Sequence, residues 1–243
     1  MQSLSIVLPA YNEKDNLATA VREAVRVGKL MAPQVEVIVV DDASTDGTGA
    51  LADRLALEIP ELRVLDHVAN RGLGGALQTG FAAATGEWIL YTDSDLPIRM
   101  DDALEALPLA ERADAVVGWR RSRPESWRRE VNSRLYNWMV RTFFGLRVRD
   151  INFAFKVFRR SFLERMSLRA EGSFIDAELL LELRRTGARF AEMGLDYYPR
   201  VAGVSTIGGL KVVPRMLWEM AKYRVRRPGR RATAEAAARH VGR

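Results

Sequence analysis

The 243-residue chain contains no cysteine. That excludes a disulfide framework and any thiolate metal site, and leaves the redox compartment open. Long apolar runs are missing as well, since none approaches the roughly 18–20 residues needed to cross a bilayer. Ser5-Ile6-Val7-Leu8 is too short for the apolar stretch of a signal peptide and runs into Pro9. The cytoplasm is therefore the expected compartment. There is no internal repeat. No Walker lysine accompanies the glycine-rich stretch Gly72-Leu73-Gly74-Gly75, and that stretch does not sit in the first strand-to-helix turn, where a dinucleotide fingerprint belongs.

What is present is an ordinary globular composition, 48% apolar and 28% charged, on a chain long enough for a full α/β domain and an appendage. Charge is distributed unevenly. Residues 1–118 carry 9 basic and 19 acidic residues, a balance of −10, whereas residues 119–243 carry 28 and 12, a balance of +16. The basic excess concentrates in 119–149 and 211–243. The first half suits a cation and the second suits anions. An acidic front half argues against a general polyanion binder, so no nucleic acid is expected; anionic lipid or a phosphorylated acceptor fits better.

Hydrophobic periodicity predicts strands at Leu4–Leu8, Val35–Val40, Arg63–Leu65 and Trp88–Thr92. Between them, helical spacing runs from an Asn12 N-cap to Gly28, from the turn at 44–48 to Pro60, and from about Asn70 to Ala84. This alternation predicts a doubly wound, mostly parallel sheet with helices on both faces. Further on, a strand is expected at 115–118, a helical Arg- and Trp-rich segment at 119–149 and a strand at 153–158. A helix at 177–185 and one or two strands within 189–198 follow, and the tail from Pro228 frays.

Two of the strands end in carboxylates, one in Asp41-Asp42 and the other in Asp93-Ser94-Asp95. Carboxylates just past a buried strand are costly unless they meet a cation or hydrogen-bond donors. In open α/β sheets, ligands bind outside the carboxyl ends of the strands. An aspartate-x-aspartate pair offers the oxygen ligands that magnesium or manganese takes while bridging phosphates. Alone, the pair also occurs in solvated turns, and Asp41-Asp42 could equally be a turn or cap pair.

Four segments in order, Ile6-Val7-Leu8-Pro9-Ala10-Tyr11-Asn12-Glu13, Val39 to Thr48, Asn70 to Ala76 and Asp93 to Leu96, resemble family 2 glycosyltransferases of the GT-A fold. Residues 120–206 resemble the branch that makes polyprenyl-phosphate (dolichol-phosphate) mannose and glucose. The resemblance implies a GT-A domain over 1–210, with a nucleotide and metal half at 1–118 and an acceptor half at 119–210. It also implies an inverting transfer from a nucleotide-diphosphate sugar, of GDP-mannose or UDP-glucose type, to polyprenyl phosphate. Pro9, Tyr11, Glu13, Asp41 and Asp42 are then expected at the nucleoside, and Asp93 and Asp95 at Mg2+ or Mn2+ on the diphosphate. Arg120, Arg129 and Ser133 would receive the acceptor phosphate. Asp176 and Glu178 would position groups and hold Arg or Lys, or serve as helix N-terminal acids. Arg200, Gly203 and Ser205 would belong to a loop folding over the leaving group. The glycines at 72, 74 and 75 are expected to allow close backbone packing.

The chain departs from the family pattern at Pro97, where a glutamine is frequent, at Ala154, where glycine stands, and at Thr206, where lysine stands. Residues 211–243 form a basic appendage. Val212, Val213, Met216, Leu217 and Met220 make an apolar stripe that either lies in an anionic membrane interface or packs on the domain. Membrane attachment would be peripheral. Two other readings stay open: a transferase acting on a glycan, protein or small-molecule hydroxyl with Asp176 or Glu178 as base, and an inactive nucleotide-sugar binder or membrane-tethered module.

Overall fold

A computed structural model describes residues 1–121, 127–198 and 212–226, with backbone only for 127–133 and 212–216. Strand β1 (Ser3–Ala10) alternates as its sequence dictates. Leu4, Ile6 and Leu8 join one core layer and Val7 joins the other, all essentially inaccessible. β2 (Gln34–Asp41) does the same, with Val37 and Val39 on the first side and Ile38 and Val40 on the second. Burying each such side chain contributes about 1.5–3 kcal/mol.

The sheet is completed by β3 (Leu62–Asp66), β4 (Trp88–Thr92), β5 (Ala115–Arg120), β6 (Phe155–Arg159) and β7 (Phe190–Leu195), in the order β3-β2-β1-β4-β6-β5-β7. It runs through both halves of the chain. β6 is antiparallel to both of its neighbours, and every other pairing is parallel. Helices α1 (Lys14–Met31), α2 (Thr48–Glu58) and α4 (Ala106–Ala110) supply side chains to one layer, and α3 (Gly72–Ala83), α5 (Trp127–Phe144), α6 (Ile175–Arg185) and α7 (Val212–Arg226) to the other. Two 3-10 segments, Met100–Glu105 and Arg160–Arg165, link elements.

Two local expectations are corrected. α1 passes through Gly28 to Met31, because a Cβ at Gly28 would lie 2.7 Å from Val35 Cγ1. That glycine admits β2 rather than ending the helix. Asn12 does not cap α1 either; the N-cap is Glu13, and Asn12 lies in the left-handed region at φ 55°. Of the one or two strands expected within 189–198, one forms, at Phe190–Leu195.

Candidate active site

Because β2, β1 and β4 are adjacent and parallel, their carboxyl ends open on one edge of the sheet. Just beyond each strand, one non-glycine residue has positive φ: Asn12 at 55°, Ala43 at 61° and Leu96 at 48°. No other non-glycine among the described residues does so. Each such conformation costs on the order of 1–2 kcal/mol, and strain of this kind concentrates where backbone is shaped for a ligand. Part of the cost at Asn12 is offset locally, since its side-chain carbonyl accepts a hydrogen bond from Thr45 N at 2.8 Å.

The Asn12 amide donates to Ser44 Oγ at 2.9 Å, and that hydroxyl in turn donates to Asp41 Oδ1. Glu13 N donates to Thr48 Oγ1 at 2.9 Å, while the Thr48 hydroxyl donates to Asp46 at 2.6 Å. These bonds sew the loop after β1 to the loop after β2. Pro9 is buried inside β1, and Tyr11 is exposed beside Glu13. Asp41 pairs with Asp66 across β2 and β3. Burial, then the charges of Asp53 and Asp41, hold the Asp66 carboxyl above its usual range.

Asp41 and Asp42 occupy different surroundings. Asp42 accepts from Arg71 N at 2.8 Å and Gly72 N at 2.7 Å, and its Oδ1 lies 2.6 Å from His67 Nδ1. It therefore caps α3, and a sugar or base would have to compete with these partners for its oxygens. The same bonds answer the glycine-rich stretch. Its first amides go to Asp42 and that of Gly74 goes to Glu171 O at 2.9 Å. Gly72 and Gly74 instead admit the backbone of 170–171: a Cβ would stand 2.6 Å from Glu171 O at Gly72 and 2.0 Å from Ala170 O at Gly74.

Beyond β4, the buried Ser94 hydroxyl turns back to donate to Pro9 O at 2.6 Å. Asp93 and Asp95 flank it, half-buried. Two such carboxylates form an all-oxygen donor set that fits Mg2+ or Mn2+ completed by water and phosphate oxygens. Tyr91 OH lies 3.4 Å from Asp93 Oδ1. Burial first, then the charges of Asp176 and Asp93, keep that phenol well above its ordinary range.

In the second half, Arg120 gives its fork to Asp150, at 2.8 and 3.1 Å, while Phe153 and Tyr197 rings lie 5.7 and 5.5 Å from its guanidinium carbon. Asp176 holds Lys156 at 2.5 Å; burial raises its carboxyl, and the Lys156 charge opposes that. Glu178 accepts from Arg169 N and Ala170 N, both at 2.7 Å, and from Arg226 at 2.8 Å. So Asp176 and Glu178 do hold a lysine and an arginine. Arg129 and Ser133 lie on α5 where only backbone is described, and Arg200, Gly203, Ser205 and Thr206 lie outside the described residues.

Several participants escape sequence reasoning. His67 bridges Asp42 and Thr79, its Nε2 2.9 Å from Thr79 Oγ1. Its only sequence signal is a position just past β3. Glu182 accepts from Tyr223 OH at 3.0 Å and Glu219 from Gly172 N at 2.9 Å. With Glu178 they fasten α6, α7 and the 167–172 loop together, and that loop lies on the glycines of α3.

The profile of the family described as glycosyl transferase family 2 matches residues 5–172. Polyprenol monophosphomannose synthase of Mycolicibacterium smegmatis is 31% identical, covering 93% of this chain and 88% of that protein. Undecaprenyl-phosphate mannosyltransferase of Micrococcus luteus is 31% identical over 84% of this chain and 86% of its own. Glycosyltransferase AglD of Haloferax volcanii is 36% identical over 81% of this chain, which spans only 33% of AglD. Among solved structures, glucosyl-3-phosphoglycerate synthase from Mycobacterium tuberculosis, crystallised with Mn2+, UDP and glucosyl-3-phosphoglycerate, superposes with TM-score 0.67. It shares 22% identity, over 89% of this chain and 79% of that one, and shows that the fold is shared.

Proposed function

This chain belongs to glycosyl transferase family 2, and on that premise we propose that it is an inverting, metal-dependent hexosyltransferase. It moves a sugar from a nucleotide-diphosphate donor, of GDP-mannose or UDP-glucose type, to a polyprenyl phosphate. The observation that carries this reading is the shared strand edge. Asp41 closes β2 and the Asp93–Asp95 pair follows β4, the two strands that flank β1 on either side, and a positive-φ residue follows each, Ala43 and Leu96.

Asp41, with Pro9, Tyr11 and Glu13 nearby, orients the nucleoside, and Asp42 fixes the helix beside it. Asp93 and Asp95 would hold the divalent ion, which when bound offsets charge on the departing diphosphate. A phosphate oxygen of the acceptor forms the new bond to the anomeric carbon as the bond to the donor diphosphate breaks. The diphosphate leaves with that electron pair from the opposite face. Arg129 and Ser133 receive the acceptor phosphate, with Arg120 sharing its guanidinium between that phosphate and Asp150, while Arg200 and Ser205 cover the leaving group and exclude water. A phosphate acceptor, with its second pKa near ~6, arrives largely ionised and needs no strong base.

The acidic residues of α6 support that choice over a hydroxyl acceptor. A hydroxyl needs a base, yet Asp176 is buried against Lys156 and Glu178 is fully enclosed by Arg169 N, Ala170 N and Arg226. A lipid-linked acceptor also implies a peripheral station at an anionic membrane surface. Among the described residues, no helix is long and apolar enough to cross a membrane.

The test is a donor screen with a short polyprenyl phosphate, with magnesium and with chelator, comparing the unsubstituted protein with Asp95→Ala. Metal-dependent lipid product, lost in a folded Asp95→Ala variant, is expected. Full turnover in that variant would sink the metal role, and nucleotide release without lipid product would move the acceptor elsewhere.

A further inference from the structure

Tyr91, Tyr136 and Tyr223 are the buried tyrosines among the described residues, and two of them have a hydrogen-bond partner. Tyr91 OH lies 3.4 Å from Asp93 Oδ1, and Tyr223 OH donates to Glu182 at 3.0 Å. Tyr136 on α5 is 2% exposed, yet its hydroxyl is enclosed with no hydrogen-bond partner among the described residues. A phenol placed this way has given up water for nothing in return, which points to a group that binds there.

The surroundings of Tyr136 fix what it can offer. Burial first, then the charges of Asp176 and Glu219, hold its phenol well above the ordinary range, so it stays protonated. Both carboxylates are bonded elsewhere, Asp176 to Lys156 at 2.5 Å and Glu219 to Gly172 N at 2.9 Å. Tyr136 therefore presents one O–H donor, and the partner it lacks is an oxygen that accepts.

Its position says which oxygen. Positions 129, 133, 136 and 140 follow one another at four- and three-residue steps along α5, so they share one face by register. Val140 in that row is fully buried, as Tyr136 is. Aromatic side chains on a helix lean back toward its N-terminus, which carries the Tyr136 ring toward the turn of position 133. The next residue, Asn137, accepts from Ile151 N at 3.1 Å, and the neighbouring Asp150 takes the Arg120 fork. Register thus ties Tyr136 to positions 129 and 133, and the Asn137 bond ties its turn to Arg120.

We propose that Tyr136 is a further binding residue for the acceptor, donating its hydroxyl to a phosphate oxygen of the polyprenyl phosphate. The inference rests on the assignment of Arg129 and Ser133 to that phosphate. A tyrosine that only fills the core, or that holds a buried water, would leave acceptor affinity untouched when its oxygen alone is removed.

The experiment titrates the full chain with a short polyprenyl phosphate by calorimetry, with thermal melts alongside. Tyr136→Phe is expected to bind it at least about tenfold more weakly, the scale of one lost hydrogen bond to a charged group, with a melting midpoint no lower than that of the unsubstituted protein. Affinity within about twofold of the unsubstituted protein overturns the proposal, whatever the melt shows. Should Tyr136→Phe fail to fold, 3-fluorotyrosine placed at position 136 decides. Its fluorine resonance is expected to move on adding the polyprenyl phosphate and not on adding the neutral polyprenol; no movement with the phosphate, or equal movement with both, overturns the proposal. Arg129→Met is run alongside. Unchanged affinity in that variant overturns the acceptor assignment and this inference with it, whereas weakened binding there with unchanged binding in Tyr136→Phe overturns only the role of Tyr136.

Discussion

A methyl group on Gly74 would meet the carbonyl oxygen of Ala170 at 2.0 Å, a backbone atom that cannot step aside as a side-chain tip can. Gly74→Ala is therefore expected to cost about 3 kcal/mol or more, read as a lower urea midpoint. Loss of stability below about 1 kcal/mol would mean that the 167–172 loop shifts freely. Glu36 tests acid behaviour far from the strand edge. Burial raises its carboxyl, but bonds from Ser5, Thr85 and Arg63 outweigh that and hold it below the ordinary 4.5. The folded protein thus binds this proton less tightly than the unfolded chain. Its contribution to stability is fully present above about pH 4.5 and is lost as pH falls through the lower, folded value. Glu36→Gln should flatten the fall in stability over that acid range, as chemical unfolding at several pH values would reveal. At this scale the sequence announced the acidic pairs by type and spacing. It could not separate Asp41 from Asp42, because that difference depends on His67 and the α3 amides arriving from 25 to 30 positions away.

The elements were legible where periodicity was strong and both signals agreed, as in β1, β2, β4 and α3. Gly28 misled because a glycine that admits a neighbouring strand looks the same in sequence as one that ends a helix. α7 divides the apolar stripe expected there. Met220 and Tyr223 pack inward, Tyr223 against Phe144 at 5.6 Å, while Leu217, Trp218 and Val225 face outward. α5, which α7 touches through Arg224 and the Phe143 carbonyl, also leaves Leu135, Trp138 and Phe143 exposed. Trp138 and Trp218 are 59% and 57% exposed, and Lys222 lies over the Trp218 ring. Aromatic rings beside basic side chains suit the headgroup region of an anionic bilayer. Flotation with anionic vesicles should capture the protein, with several-fold weaker binding for Trp138→Ser and Trp218→Ser. Equal capture by zwitterionic vesicles, or no effect of either substitution, would count against this face.

Over the whole molecule, the balance of −10 before residue 119 and +16 after it sets an acidic first half, with the strand edge, against a basic second half. Raising salt from low to high ionic strength should therefore weaken vesicle capture more than donor binding, since exposed charges are screened and half-buried ones much less. An unchanged ratio in paired flotation and nucleotide-binding titrations would contradict that division. Sheet order was the least legible property. Nothing local in Phe155–Arg159 says that it enters antiparallel between β4 and β5, because that placement is settled by partners about forty positions earlier on β5 and more than sixty earlier on β4. This insertion governs how the protein is made. As the chain leaves the ribosome, the first four strands can close a parallel sheet as soon as Thr92 emerges. β5 then arrives with neither of its neighbours yet synthesised, since both β6 and β7 come later. Until β6 is delivered, nascent protein carries an open β4 edge and an orphan apolar strand, and this interval is when it is most in need of a chaperone.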